Sequence, residues 1–501
     1  HQFHDTLPGT LVGDAVDDVV RDYEELEREA ARLTRFGLEA VGARINTRGE
    51  GVPVMVFNPS PWERTDVVDV VVRRPVPERV VRVTTDAGED VPFTCYGGSA
   101  IEHRLSLLAR DLPACGLTLY RVHTSAGDTG TGAVNRSPAD PLVRLRGSTA
   151  ETDRFTVEWS DAGVERVYDR LKRIELLGAT ANVLALHEET ESSSWHVRLG
   201  GDSVDLASVS GPRVVQNDGL TLRVQWVDRT DDSLFTREMI ARADSGRIDF
   251  TLQVEWHESD RLLSVRIPTS VSDARGVFES PYGAIERPCD GTLWPMQKWV
   301  ARENDERGVA VLNDGVYSCG GEDGVVELAL LRAARDMDPR MDEGHHEIRY
   351  SLCAYEPAGG RTEPVRRAVE LSEPLLAAQQ TRHPGRVPDW GSFRNDYELS
   401  SGHSFVNVEA EHTLLTVVKV LEGDWNPDEL VLRFYEVDGA SETVTVELPR
   451  RVARVAEVNH IEQSVPQGEP VRAGRAGFSF TIGRHQIRTF RVELAGGRQG
   501  G

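Results

Sequence analysis

The sequence predicts a mainly β protein that opens on one long helix. Three observations carry that reading. Apolar residues recur at steps of three and four only in the first 45 or so positions, short runs alternating with period two fill the rest, and clusters of Gly and Pro divide those runs into blocks. The divisions fall at 1–48 for a helical segment, 49–125 for a small β-domain, 126–385 for a large antiparallel sandwich and 386–501 for a last β-domain.

The helix is expected over residues 11–45. Val12, Val16, Val19, Tyr23, Leu26, Ala30 and Leu33 form one stripe, with Asp, Glu and Arg between them. Thr10 or Asp14 is placed to cap its start, because either side chain can accept a hydrogen bond from an orphan N–H. Such a stripe needs other helices to cover it, or a second copy in a coiled coil, and the rest of the chain offers few helices.

After Gly49 and Pro53 the period changes to two. Val54–Phe57 runs into Asn58-Pro59-Ser60-Pro61-Trp62 and then into Val67–Val72, so Asn58-Pro59 reads as a turn and Trp62 as core. Residues 126–140 have linker composition. From Phe155 to about Glu373 strand signals dominate, as in Phe155–Trp159, Leu220–Trp226 and Ile248–Trp256. Pro384 to Trp390 separates the last block. Its strands Leu414–Val420 and Leu430–Glu436 are joined through Asp424-Trp425-Asn426-Pro427.

Charge narrows the function classes. The chain carries 57 Lys and Arg against 81 Asp and Glu, a net −24, which argues against nucleic acid and anionic membrane as partners. No apolar run approaches membrane-spanning length. Five scattered cysteines, with no C-x-x-C pair, point to a reducing, cytoplasmic setting. A homo-oligomer is compatible with this composition.

Chemistry concentrates in the first ten residues, His1-Gln2-Phe3-His4-Asp5-Thr6-Leu7-Pro8-Gly9-Thr10. Two imidazoles and a carboxylate lie within five positions, before a Pro-Gly break. A neutral imidazole is a metal ligand and a carboxylate accepts hydrogen bonds from hydroxyls, whereas the same pattern also suits a solvated or locally capped turn. One His and one Asp cannot fill a four-ligand site, so a metal here needs donors from elsewhere. A second ligand-rich stretch, Asp342-Glu343-Gly344-His345-His346-Glu347, leads into the strand Ile348–Leu352. There the pleat sends His345 and His346 to opposite faces, so a hydrogen-bonded turn is the expectation.

Gln2 to Thr10 resembles the Gln-Phe-His-Asp-x-Leu-Pro-Gly-Ser/Thr signature of the glycoside hydrolase family 38 α-mannosidases. Further stretches are similar to that family: Phe57-Asn58-Pro59-x-x-Trp62-x-Arg64, Leu262–Pro268, Tyr282–Pro288, Gly308–Asp314, Leu330-Leu331-Arg332, Asp342–Tyr350 and Arg433-x-Tyr435-Glu436. Ser192-Ser193-Ser194 departs from it, replacing the acidic residues that often precede the counterpart of Trp195. The resemblance implies that 1–48 is the end of a helical bundle, that 126–385 is a supersandwich like that of galactose mutarotase, and that the last domain is a β-sandwich. It implies His4 as a ligand of the active-site zinc, with cobalt as the alternative ion, and Asp5 as a contact to substrate hydroxyls. In the family the other ligands, including the aspartate nucleophile, lie in an N-terminal α/β domain, and nothing here matches it. The resemblance therefore predicts no catalytic residue in this chain, with nucleophile and general acid upstream. On this reading the fragment alone does not turn over substrate.

The implied activity is that of a retaining exo-α-mannosidase, with a mannose-containing oligosaccharide or glycan as partner. Its two carboxyl groups stand about 5–5.5 Å apart. A Tyr and an Arg from the β-domains complete the sugar pocket in some family members, for which Tyr282 and Arg287 are candidates here. Two other classes compete: a non-catalytic carbohydrate-binding or scaffolding β-sandwich protein, and a metal-free epimerase of the mutarotase type. The helix that leads directly from the His4-Asp5 turn speaks against both, since a stand-alone sandwich has no use for it.

Overall fold

The computed structural model describes residues 1–73, 78–99, 101–125, 140–201, 203–385, 398–423, 426, 428–465 and 471–495. The linker read at 126–140 lies outside them except for Asp140, and so do 386–390, Asp424, Trp425 and Pro427. Strands dominate, with two α-helices among the described residues: α1, Gly13–Gly42, and α2, Thr362–Ser372. No described helix is long and apolar enough to cross a membrane. The chain divides into two compact units, one of 1–37, 140–280 and 285–358, the other of 38–139, 281–284 and 359–501.

The first unit contains the large sandwich. One antiparallel sheet runs in the order Ser208–Asn217, Thr221–Arg229, Leu234–Arg242, Ile248–Trp256, Gly344–Tyr355, Gly308–Asp314, Trp299–Glu303, Arg275–Ser280. A six-stranded sheet runs Val204–Asp205, Val183–Glu188, Arg261–Pro268, Val325–Arg332, Ser318–Gly320, Trp294–Pro295. Alternation decides what faces inward. Leu222, Val224, Trp226 and Asp228 share one face with Phe235, Arg237, Met239 and Ala241 of the neighbouring strand, and all eight are buried. Two charges thus enter the core together. Arg237 grips both carboxylate oxygens of Asp228, with its Nη2 at 2.9 Å from Oδ1, and Nη2 also donates to Ser208 Oγ at 2.9 Å. Its Nη1 donates to the carbonyl of Asn182, whose amide oxygen accepts from Tyr350. Every nitrogen of the guanidinium has a partner, which is what a buried charge requires.

Glu279 is a carboxyl held without a cation of that kind. Burial pushes it up to about 7, against a backbone hydrogen bond from Lys298 at 2.5 Å and the Lys298 charge that pull it down. A raised acid gives the folded state the extra proton, so stability falls as pH climbs from 4.5 to about 7 and stays lowered above. Glu279→Gln removes that cost and keeps an acceptor for Lys298 N. The substitution should stabilise the first unit by about 2 kcal/mol at pH 8 and by almost nothing at pH 4.5. Urea unfolding at the two pH values measures it, and an equal gain at both would show a packing effect instead.

In the second unit, Val52–Asn58 pairs with Gly116–Ser125, with Leu376–Gln379 added outside the first strand and Gly402–Ser404 outside the second. A three-stranded sheet, Arg64–Arg73, Glu102–Leu112 and Phe93–Gly98, closes over it on Val54, Val68, Val70, Leu105, Leu107 and Tyr120. The C-terminal strands form two four-stranded sheets around Phe434, Phe478, Phe480 and Phe490. These rings pack at 4.5–6.0 Å, mostly edge-on or tilted. Arg433-x-Tyr435-Glu436 serves this sandwich. Buried Glu436 accepts from the backbone N–H groups of Asp438, Gly439, Ala440 and His485.

The helices depart from expectation in two ways. Residues 362–372, read within a run of strand signals, form α2, which buries Val365, Ala368 and Leu371 at steps of three. It also carries Glu370, which accepts from Trp62 Nε1 at 2.8 Å, so Trp62 is half-buried and hydrogen-bonded rather than plain core. Asn58 bridges locally as a turn residue should, donating to Trp62 O at 2.8 Å while its Oδ1 accepts from Ser60 N at 3.0 Å.

In α1 the expected cap is absent: the Thr10 hydroxyl donates back to Asp5 O at 3.4 Å. The C-terminal end of α1 is anchored in the second unit, where Leu38 and Val41 pack on Ile45, Met55, Leu117 and Leu119. Along the preceding turns, Val12, Tyr23, Leu26, Leu33 and Phe36 are each at least half exposed. Residues 13–36 should accordingly exchange amide hydrogens far faster than Ile248–Trp256. Equal protection of the two segments would show that the stripe is covered in solution.

Candidate functional site

The His4-Asp5 pair is displayed on a compact turn built by its neighbours. The N–H groups of Thr6 and Leu7 donate to Phe3 O at 3.1 and 3.0 Å, and Thr10 N donates to Asp5 O at 3.0 Å. Gly9, at φ +73°, reverses the chain where a side chain would be strained, and Pro8 precedes it. α1 follows after three residues.

The two imidazoles diverge. His1 Nε2 lies 3.0 Å from Asp22 Oδ2, and its ring lies 5.4 Å from that of Tyr23, so it is engaged on the helix. The His4 side chain is 71 % exposed, with Nε2 3.3 Å from Asp5 Oδ1 and its ring 4.3 Å from Phe3. One outward imidazole beside one carboxylate fits part of a metal's ligand set. Among the described residues no group of three or more His, Cys, Asp or Glu is placed to hold a metal, so the set would be completed by donors from beyond them.

The other residues singled out in the sequence go elsewhere. His345 Nδ1 reaches Glu255 Oε1 at 2.9 Å, while His346 Nε2 reaches Asp342 O at 2.6 Å. The two rings are divided by the pleat, as the strand geometry demands; the strand itself begins at Gly344 rather than Ile348. Tyr282 packs edge-on against Tyr435 at 5.5 Å, and Arg287 lies over Trp294 at 4.9 Å. Neither joins the His4-Asp5 turn through any of these contacts. No disulfide joins the five cysteines, all of which are described.

Sequence reasoning missed a polar cluster on the six-stranded sheet. His187 Nε2 lies 2.8 Å from Glu327 Oε1 and 3.0 Å from Ser264 Oγ, and Arg266 Nε donates to Glu327 Oε1 at 3.2 Å. Burial raises the Glu327 carboxyl, yet the hydrogen bonds from His187 and Ser264 and the Arg266 charge overcome it and hold the group at about 2. One ring nitrogen serves both Ser264 and Glu327, so this is not the relay of a Ser-His-acid triad, which needs the acid on the opposite nitrogen.

Two family models match the chain: the glycosyl hydrolases family 38 C-terminal domain over residues 150–340, and the family 38 C-terminal beta sandwich domain over 412–490. Among curated proteins, alpha-mannosidase 2C1 of Mus musculus is 23% identical over 93% of this chain and 42% of its own length. The Homo sapiens protein of the same name is 22% identical over 96% and 43%. The chain thus spans less than half the length of the curated relatives it matches. The crystal structure of an alpha-mannosidase from Enterococcus faecalis V583 superposes with a TM-score of 0.73 at 14% identity, over 96% of this chain and 61% of that one, which shows a shared fold. Two models of one family on separate β-regions, in the order of the fold they share, place the chain: it belongs to glycosyl hydrolase family 38.

Proposed function

We propose that the whole protein carrying this chain is a zinc-dependent, retaining exo-α-mannosidase that removes terminal α-linked mannose from oligosaccharides or glycans. The observation that carries the reading is the Gln2–Thr10 signature, whose turn presents His4 and Asp5 side by side. Family membership and relatives named alpha-mannosidase support it. Nucleophile and general acid belong to residues outside this chain, so the chain's own part is binding and orientation. His4 would supply an imidazole nitrogen to the metal, leaving the metal's charge intact because the ligand is neutral. Bound there, zinc supplies a Lewis-acid contact that orients the hydroxyls of the terminal sugar. Asp5 accepts hydrogen bonds from sugar hydroxyls. Cobalt is the alternative ion, and a reducing cytoplasmic compartment suits the unpaired arrangement of cysteine sequence positions.

Asp5→Asn separates substrate contact from a merely structural role. The amide keeps the shape but loses the charge, and its NH₂ end cannot accept a hydrogen bond. In the whole protein kcat/KM on an α-mannoside should fall by about 1.5–3 kcal/mol of transition-state stabilisation, with metal content unchanged. Near-normal kcat/KM would leave Asp5 as a turn former, and loss of metal would make it a ligand or the partner of one.

A further inference from the structure

At one edge of the large sandwich the chain crosses from sheet to sheet. Strand Gly283–Arg287 ends the large sheet beside Arg275–Ser280, and Trp294–Pro295 ends the six-stranded sheet. Residues 288–293 make the crossing, with the free thiol of Cys289 half-buried on it. Inside that edge Gly276 stands directly opposite Arg302 on the neighbouring strand. The Gly276 backbone lies outside the left-handed region, so this glycine supplies room rather than conformation. A Cβ built on it would lie 2.9 Å from Cys289 Sγ, 3.0 Å from the Arg287 carbonyl oxygen and 3.1 Å from Arg302 Nη1. Three unlike groups border one slot.

Arg302 is fully buried and reaches across the sandwich. Its Nη2 donates to Gly320 O at 3.2 Å and to Val325 O at 2.9 Å, both on the six-stranded sheet. Its Nε and Nη1 have no hydrogen-bond partner, and it forms no ion pair among the described residues. Arg237, in the same unit, has every nitrogen bonded. An unpartnered donor on a buried guanidinium is costly, so Nη1 borders the slot as a donor without its acceptor. The thiols around it differ. Cys319 donates to Gly320 O at 3.3 Å and is pushed up to about 12 by burial, which keeps it an inert thiol. Cys115 donates to Pro59 O at 3.8 Å and is likewise pushed up to about 12 by burial. Cys289 Sγ has no hydrogen-bond partner among the described residues.

We propose that Cys289 is an oxidation site, at which hydrogen peroxide converts the thiol to a sulfenic acid whose oxygen enters the slot beside Gly276. The thiol gives its proton to solvent, and the sulfur electron pair forms an S–O bond as the O–O bond breaks. The departing hydroxide takes up a proton and leaves as water. Sulfur is oxidised and the peroxide reduced, with the second peroxide oxygen kept on Cys289 as S–O–H. That group needs a donor for its oxygen and an acceptor for its hydrogen. Arg302 Nη1 is the first, and Arg287 O, a carbonyl with two lone pairs, is the second. The charged donor favours the transferred oxygen while it carries negative charge. Gly276 makes the space, because any side chain there would occupy it.

The folded 501-residue chain is treated with hydrogen peroxide in the presence of dimedone, and adducts are read at each cysteine by peptide mass. Cys289 should be trapped about tenfold faster than Cys95 or Cys115. Gly276→Ala fills the slot, and Arg302→Met removes the donor at similar side-chain length. Each should slow trapping at Cys289 about tenfold, while alkylation of Cys289 by iodoacetamide, which places no oxygen on sulfur, stays within about twofold of the parent. Equal losses with both reagents would trace the effect to access or ionisation of the thiol and overturn the proposal. Unchanged trapping in both variants, the result for a slot that holds only water, also overturns it. Should a variant fail to fold, the parent decides: trapping at Cys289 no faster than at Cys95 overturns the assignment.

Discussion

Arg237→Ala should destabilise the first unit by about 3–5 kcal/mol, the cost of leaving a buried carboxylate without its cation. Asp228 is fully buried and receives two hydrogen bonds from Arg237, one from Nη2 at 2.9 Å. Ser208 Oγ, at 2.6 Å from Asp228 Oδ1, is the acceptor's other partner and cannot neutralise it. Truncation also frees the Asn182 carbonyl and removes the guanidinium that lies 5.7 Å from the Trp226 ring. Charge and packing are separable here. Arg237→Met with Asp228→Leu replaces the pair by apolar groups and should recover at least about 2 kcal/mol of the loss, as buried pairs elsewhere tolerate such replacement. Urea unfolding followed by a probe in the first unit measures both. A double variant no more stable than Arg237→Ala would assign the loss to packing alone.

What the sequence made legible follows from periodicity. Strands such as Thr221–Arg229 and Ile248–Trp256 alternate over nine residues, long enough to declare one buried face, and the structure places both in the large sheet. α1 declares itself by the same logic at a different period. α2 did not, because eleven residues with four buried apolar positions, two of them adjacent and all flanked by strands, give no pattern distinct from an irregular strand. The His4-Asp5 turn was legible because its parts are contiguous, with Pro8 and Gly9 fixing the reversal in the chain itself. The cluster of His187, Ser264, Arg266 and Glu327 was not, because its members lie up to 140 positions apart and meet only through strand register. The same holds for Arg237 with Asn182. Alternation shows that Arg237 points inward, but only the fold supplies the partners that make an inward arginine tolerable.

His4→Ala in the whole protein should strip the bound metal and leave almost no activity. The expectation rests on the proposed zinc site, and its size can be bounded. A complete four-ligand zinc site in a small domain binds with about 10–16 kcal/mol, so a single imidazole accounts for roughly 3–4 kcal/mol, or two to three orders of magnitude in affinity. The structure gives His4 no other duty among the described residues that its loss would disturb. Its side chain is exposed, its closest polar neighbour is Asp5 at 3.3 Å, and the turn is held by backbone hydrogen bonds that alanine retains. Folding of the variant should therefore match the parent in thermal unfolding of the metal-free protein. Metal content by elemental analysis and kcat/KM on an α-mannoside, measured on one preparation, then read the role directly. Full metal content in an inactive variant would make His4 a substrate contact. Full metal content with full activity would reduce the pair to a surface turn, and the signature would have to owe its function to Asp5 alone.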